Sequence, residues 1–409
     1  MRIDHFSKNI ILVFATTSVL NFFNLLYQLF IAHKFSPADF AGFNTLLAIF
    51  TLVSTPLLTL QIGVVKYTAE FNAHQQVGKI KSFLSCVLNK VILASLLFML
   101  LFLLISPFIM RNLKISSAYS GYTLSFLIAS ACIVPVFTGS IQGLEMFKWF
   151  ASISALASLA KMSFILIIIW FGLNIAGALS GFLIANVLTI FLSIFAIKHF
   201  LTLQPQREDI DYKGFLAYLM PVAINSFCFM GLVNLDLILV KYFFRPQEAG
   251  LYSLAGMIGK LFLFLPSGIF IVMFPRTSHL NAKQIPTRPV LKKSLYFTAI
   301  LCLVAIIIYN AFPGFLLKLF TGKAYPESIY LGRLFSISMS FFALTMILSG
   351  YFLSVNDLRF IKYLAVFTFV EFLSIAVFHK SLNQVQLILC LVAILSFLAN
   401  LILLLKKDK

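Results

Sequence analysis

Two lysines, Lys161 and Lys260, fall about halfway along apolar runs long enough to cross a bilayer. A charged side chain at that depth costs about 2.5–3.5 kcal/mol on insertion scales, so each requires a counter-charge or a task. Ammonium groups lining a water-filled cavity would attract and orient a polyanion such as a diphosphate. The alternative is that each lysine pairs with a carboxylate, and the acidic residues placed inside apolar runs are Asp236 and Glu371. Those two are themselves candidates for carrying a proton or a sodium ion. Arg333, near the outer end of its run, could hold a phosphate bidentately or sit at the interface. Lys66 and Arg276 lie at corresponding helix ends, where a lipid phosphate would enter or where an ordinary basic flank would stand. Lys90 is close enough to one surface to snorkel. Asn24 and Gln28 on the first run could hydrogen-bond a polar cargo or join helices.

The elements that position these groups follow from composition. Of 409 residues, 61% are hydrophobic and 11% charged, against about 25% charged in soluble domains. Charged or Pro/Gly/Asn-rich breaks divide the chain into twelve expected helices, at about 10–32, 41–65, 82–106, 120–142, 149–171, 175–197, 215–240, 249–274, 293–312, 328–353, 361–379 and 384–405. Each is long enough for about 30 Å of hydrocarbon, and the helix is required because every backbone polar group there must be paired internally. The first run is longer than a signal-peptide core and is expected to be retained. With the N-terminus inside, the inner segments hold nineteen basic residues and the outer ones eight, which predicts both termini cytoplasmic. The net charge of +18 is thereby explained by loops facing an anionic leaflet. No loop is long enough to form a basic soluble module, so a nucleic-acid partner is not expected. The five cysteines and six histidines are dispersed, without the spacing of a disulfide framework or a metal site, and no cofactor is expected.

A repeat organises the runs. NLLYQLFIAHKFSPADFAGFN, from Asn24, aligns at an offset of 208 with LVNLDLILVKYFFRPQEAGLY, from Leu232, pairing Ala41 with Ala249 and Gly42 with Gly250. After a two-residue slip, Pro56 pairs with Pro266 and Lys66 with Arg276. An offset of six helices keeps the same orientation, so the halves form a parallel repeat. The expected architecture is all-α and integral to the membrane: about twelve transmembrane helices in two parallel-repeat six-helix bundles, 1–198 and 215–409, around a central cavity. The polar stretch 199–214 reads as a cytoplasmic linker. Prolines 56, 135, 221 and 266 fall within runs and favour kinks.

Several segments carry a family resemblance: FAGFNTLLAIF (Phe40 to Phe50), IQGLEMFKWFASISALASLAK (Ile141 to Lys161), GALSGFLIANVL (Gly177 to Leu188), FLAYLMPVAIN (Phe215 to Asn225), DLILVKYFFRPQEAGLYSLAGMIGKLFLFLPSGI (Asp236 to Ile269), VMFPRTS (Val272 to Ser278) and LFTGKAYPESIYLGRLFSISM (Leu319 to Met339). The chain resembles the polysaccharide-transport branch of the multidrug/oligosaccharidyl-lipid/polysaccharide exporter superfamily, which includes Wzx-type O-antigen and capsule-repeat flippases. The resemblance implies a twelve-helix flippase of undecaprenyl-pyrophosphate-linked oligosaccharide in the bacterial inner membrane. A polysaccharide polymerase and co-polymerase are its implied partners, beside membrane lipids and an H+ or Na+ coupling ion. This chain departs from that pattern in its first run, which has no arginine or acidic residue and offers Asn21, Asn24 and Gln28. A cation-coupled multidrug antiporter of the same architecture is the competing reading. A membrane enzyme is not expected, because the outer segments 107–119 and 313–327 are short and lack a nucleophile and base.

Overall fold

In a computed structural model, described for residues 5–115, 117–170, 175–202 and 212–406, the apolar runs wind into fourteen helices. They are α1 (His5–Lys34), α2 (Pro37–Ala73), α3 (Val77–Asn112), α4 (Ala118–Gly143), α5 (Phe147–Trp170), α6 (Ile175–Thr202), α7 (Tyr212–Phe243), α8 (Pro246–Phe264), α9 (Ser267–Ala282), α10 (Arg288–Ala311), α11 (Pro313–Thr321), α12 (Pro326–Ser354), α13 (Phe360–Val377) and α14 (Leu382–Lys406). Among the described residues, eleven spans are long and apolar enough to cross a membrane. The remaining expected span falls on α1, where many side chains lie outside those described. Most of the expected linker 199–214 also lies outside them.

Two departures from the sequence reading have local causes. The eighth expected run is split into α8 and α9, with Pro266 preceding α9. Proline has no N–H to donate to the preceding turn and its ring crowds that turn. Pro56, Pro135 and Pro221 leave α2, α4 and α7 continuous, so a proline alone does not interrupt the helix. The second departure is α11, nine residues inside an expected outer loop. It begins at Pro313, whose fixed φ suits a first helical position, and stops at Gly322 with φ 77°. The side chain of His33 would be 2.8 Å from a Cβ at Gly322, so both backbone angle and space call for glycine there.

Helix ends expose the repeat more clearly than composition does. Gln75, Lys114, Glu145, Gln284 and Asn356 adopt positive φ, and the amide after each donates back across the last turn, as Met146 N–H does to Ile141 O at 3.0 Å and Asp357 N–H to Phe352 O at 2.9 Å. These are Schellman closures, which satisfy carbonyls that would otherwise be orphaned. Gln75 and Gln284 are 209 residues apart, and Glu145 and Asn356 are 211 apart, each within a residue or three of the sequence offsets of 208 and 210. Ser36 caps α2, accepting from Asp39 N–H at 3.2 Å, while at the start of α8 Glu248 accepts from Arg245 N–H at 3.0 Å. Both ends carry proline at the first helical position.

The chain divides into two compact units, residues 1–31 with 50–223, and 32–49 with 224–409. Residues 32–49 thus group with the second unit. There Gly250 lies so close to Pro37 that a Cβ would be 2.5 Å from its carbonyl oxygen, and Lys241 Nζ reaches Ala38 O at 3.5 Å. In the first unit α4 is the central helix, 78% of its spanning window being buried, and in the second unit the most buried span is its repeat counterpart α12, at 67%. Glycines let neighbours approach these helices, as small residues do throughout membrane bundles. A Cβ at Gly139 would meet Gln61 O at 2.9 Å, and one at Gly143 would meet Val65 O at 2.9 Å and Thr68 Cβ at 2.8 Å. Val64, Phe83, Val136 and Ile141 complete the packing around α4. The obstacle at Gly143 includes backbone, which cannot rotate away. Gly143→Ala is therefore expected to destabilise the first unit by about 1–3 kcal/mol, read as a lower melting temperature of the purified protein, with Ser152→Ala as the control.

Candidate functional site

In the first unit, α1, α5 and α6 bring their side chains together around Lys161. It is 5% exposed. Its Nζ donates to Asn24 Oδ1 and lies 5.0 Å from the ring centre of Tyr27 and 4.5 Å from that of Phe182. The two rings meet edge to face at 5.2 Å, and Tyr27 is fixed by donating its hydroxyl hydrogen to Ala178 O. Gly181 keeps α6 close, since a Cβ there would be 3.0 Å from the Tyr27 oxygen and 3.5 Å from Lys161 Cγ. The ammonium is thus held by an amide oxygen and two aromatic faces, a stabilisation that strengthens when water is excluded. No carboxylate is within ion-pair distance of it among the described residues, whereas Arg359 in the α12–α13 turn pairs with Asp357 at 2.7 Å. Of the two readings of Lys161, carboxylate pairing is not the one seen among the described residues, where its hydrogen-bond acceptor is the Asn24 amide. Asn24 is exposed and Gln28, one turn further along α1, is half-buried, so the lysine is covered from one side by an accessible amide.

The second unit gathers a different set. Lys260 on α8 donates to Asn234 Oδ1 on α7 at 2.7 Å, and Asn234 is oriented by its own Nδ2 donating to Met230 O at 3.0 Å. Asp236, 2% exposed, accepts from Tyr252 Oη at 2.8 Å through Oδ2, while its Oδ1 has no partner. Glu371 on α13 is fully buried, and neither of its oxygens is hydrogen-bonded. Asp236 is close enough to act on the charge of Lys260 and on that of Glu371. Gln386 on α14 is also fully buried; its Nε2 donates to Ser338 Oγ at 3.1 Å and its Oε1 is unpartnered. Buried acceptors left without donors are costly, a cost that protonation of a carboxyl or a bound cation would relieve.

The other sequence candidates stand apart from these clusters. Lys66 is exposed on α2 with its Nζ 5.8 Å from the Tyr67 ring centre. Arg276 is exposed on α9. Arg333 is exposed on α12, near enough to act on the Tyr309 phenol. Lys90 is exposed on α3. Sequence reasoning missed Tyr27, Phe182, Tyr252 and Gln386. Tyr27 had a signal, because it follows Asn24 by one helical turn and shares its face. Phe182 had none, being one of 47 phenylalanines. Among the described residues no group of three or more His, Cys, Asp or Glu could hold a metal ion.

This architecture has solved counterparts. An inward-facing multidrug resistance MATE family transporter of the MOP superfamily is similar with a TM-score of 0.74 at 14% identity, covering 94% of each chain. The lipid II flippase MurJ in an inward closed conformation gives 0.75 at 15%, covering 96% of this chain and 87% of that one. A MOP superfamily transporter from Pyrococcus furiosus gives 0.64 at 13%, covering 98% and 95%. At these identities the likeness establishes the fold, which is that of the MATE and MurJ transporters. In sequence, a Shigella flexneri protein named "Putative O-antigen transporter" is 24% identical over 278 residues, 63% of this chain and 66% of that relative, just under two thirds of its length. Residues 6–281 match the polysaccharide biosynthesis protein family. With a match over more than half of its length, this multi-pass membrane chain belongs to that family.

Proposed function

We propose that the protein is a flippase that carries an undecaprenyl-pyrophosphate-linked oligosaccharide, the repeat unit of an O-antigen, capsule or exopolysaccharide, from the cytoplasmic to the outer leaflet of the bacterial inner membrane by alternating access. The observation that carries this reading is Lys161, a buried cation with no carboxylate partner among the described residues, covered by the exposed amide of Asn24. A diphosphate arriving there replaces one weak acceptor with several charged oxygens. Tyr27 and Phe182 hold the ammonium in place while the site is empty. Gln28 adds a polar contact, and Lys66, Arg276 and Arg333 supply basic exits and entrances along the helices. Both termini and the 199–214 linker are cytoplasmic in this proposal, with 1–198 and 215–409 as the bundles and lipids, a polymerase and a co-polymerase as neighbours.

Asp236 and Glu371 are assigned to the coupling ion, H+ or Na+. Their support is the set of unpartnered buried oxygens on Asp236, Glu371 and Gln386. Lys260, which donates to Asn234, stands beside Asp236 of that set and is assigned with Lys161 to the substrate.

Removing the Lys161 ammonium loses charge-assisted bonds of about 1.5–3 kcal/mol. Lys161→Ala, at native expression level, is expected to cut the export of lipid-linked precursor about tenfold or more, with precursor accumulating inside and surface polymer falling; Lys161→Arg is expected to retain part of the activity. Normal surface polymer in Lys161→Ala cells would overturn the assignment, and a rise in drug susceptibility with intact polymer would favour a cation-coupled multidrug antiporter. Glu371→Gln keeps the shape and removes the charge. In proteoliposomes it is expected to abolish the stimulation of transport by an imposed proton or sodium gradient; unchanged stimulation would remove Glu371 from the coupling role.

A further inference from the structure

At one end of the second unit, α7 and α13 finish while α8, α12 and α14 begin, and their connections enclose a cavity of about 770 Å³. This volume is within the range of small-ligand sites, about 300–1,000 Å³. Tyr330, 51% exposed, presents its ring to the basin. A second aromatic wall is the stacked pair of Phe243 and His379, with ring centres 3.7 Å apart and planes 16° from parallel.

The polar lining has a sign balance that narrows the ligand. Arg245 and Lys380 face Glu248 and Glu327, two cations against two carboxylates. A site for a free polyanion would not include unpaired acids, and an apolar partner would not be met by four charges. Glu248 is occupied in capping α8 through the Arg245 amide, 3.0 Å away. The side chains of Glu327, Lys380 and Asn383 make no hydrogen bond or ion pair among the described residues. The helix starts add little to these side chains, since at α14 the Gln384 amide donates to Ser381 Oγ at 3.2 Å and α12 begins at Pro326, which has no N–H. The basin therefore offers donors and acceptors in equal measure, with no net side-chain charge, between aromatic faces. That chemistry fits a polyhydroxylated, near-neutral ligand.

We infer that this basin is a saccharide-binding vestibule, holding the sugar portion of the cargo at the outer face while the lipid diphosphate leaves the transport path. The inference rests on the flippase reading, which supplies both the outward orientation of this end and the sugar. Tyr330 stacks on a sugar ring, Asn383 and Glu327 bridge hydroxyls, and Lys380 donates to a further oxygen.

The full chain in lipid nanodiscs would be titrated calorimetrically with the free oligosaccharide released by mild acid from the cell's own lipid-linked precursors, and separately with inorganic pyrophosphate. The oligosaccharide is expected to bind, Tyr330→Ala and Asn383→Ala each to weaken it about tenfold, and Tyr330→Phe, which keeps the ring, to bind as the native chain does. Pyrophosphate is expected not to displace it. Absence of oligosaccharide binding, native-like affinity in both alanine variants, or displacement by pyrophosphate would overturn the vestibule. Asn383 is exposed at a helix start, so its variant tests the site even where the Tyr330 change disturbs folding. The transport phenotype of Lys161→Ala is scored without free sugar, so loss of the vestibule alone leaves the flippase reading standing, and loss of both arms removes that reading too.

Discussion

Hydrocarbon offers a backbone no hydrogen-bonding partner, and that constraint shapes every part of this protein. It makes each span a helix, and it leaves close packing rather than hydrophobic burial to hold the helices together, since lipid is as apolar as the residues it touches. Hence the importance of the glycines against the central helices. Gly139 and Gly143 let α4 touch the α2 backbone, and Gly332 and Gly350 admit Tyr309 and Phe270 against α12. The outward faces of α3 and α10, with exposed Leu97, Leu104, Phe297 and Leu303, need no protein partner because lipid provides one.

The same constraint makes polar side chains inside the bundle conspicuous, and the two units treat theirs differently. Lys161 is accommodated without an acid, by an amide oxygen and the negative faces of two rings. Lys260 shares its surroundings with Asp236, and through it with Glu371. An ammonium surrounded by weak acceptors gains most from an arriving anion. One beside a carboxylate gains less from the anion but reports whether that carboxylate is charged. On the proposed reading, the first unit is thereby suited to cargo and the second to the ion that drives it.

How much of this was legible follows from which properties are local. The spans, the repeat, Lys161 and Lys260 could be read because charge, apolar length and proline position act along the chain itself. The split at Pro266 was not separable from the intact helix at Pro56, since both prolines sit in similar apolar stretches and only the tertiary setting distinguishes them. The helix α11 was hidden because nine residues between the end of an apolar span and a charged segment look like a loop. Lys161's surroundings were not legible for a deeper reason. Reasoning from charge alone offers an opposite charge or a charged cargo; amide and ring partners have no charge to announce them, and Phe182 is unremarkable in composition. Asn24 could be placed on the correct helix but not turned toward Lys161 until α1, α5 and α6 were packed.

The repeat adds a final physical point. Asn24 and Asn234 are not equivalent in the repeat, since the ungapped offset of 208 pairs Asn24 with Leu232 and Asn234 with Leu26, yet each receives the ammonium of a buried or half-buried lysine. The lysines are not equivalent either, one standing on α5 and the other on α8. An asparagine on the first helix of each half thus accepts from a lysine in both units without the repeat pairing imposing it. An Asn24→Leu change removes that acceptor in the first unit alone, and leaves Lys161 with aromatic faces but no hydrogen-bond acceptor, a state in which a buried ammonium is least tolerable.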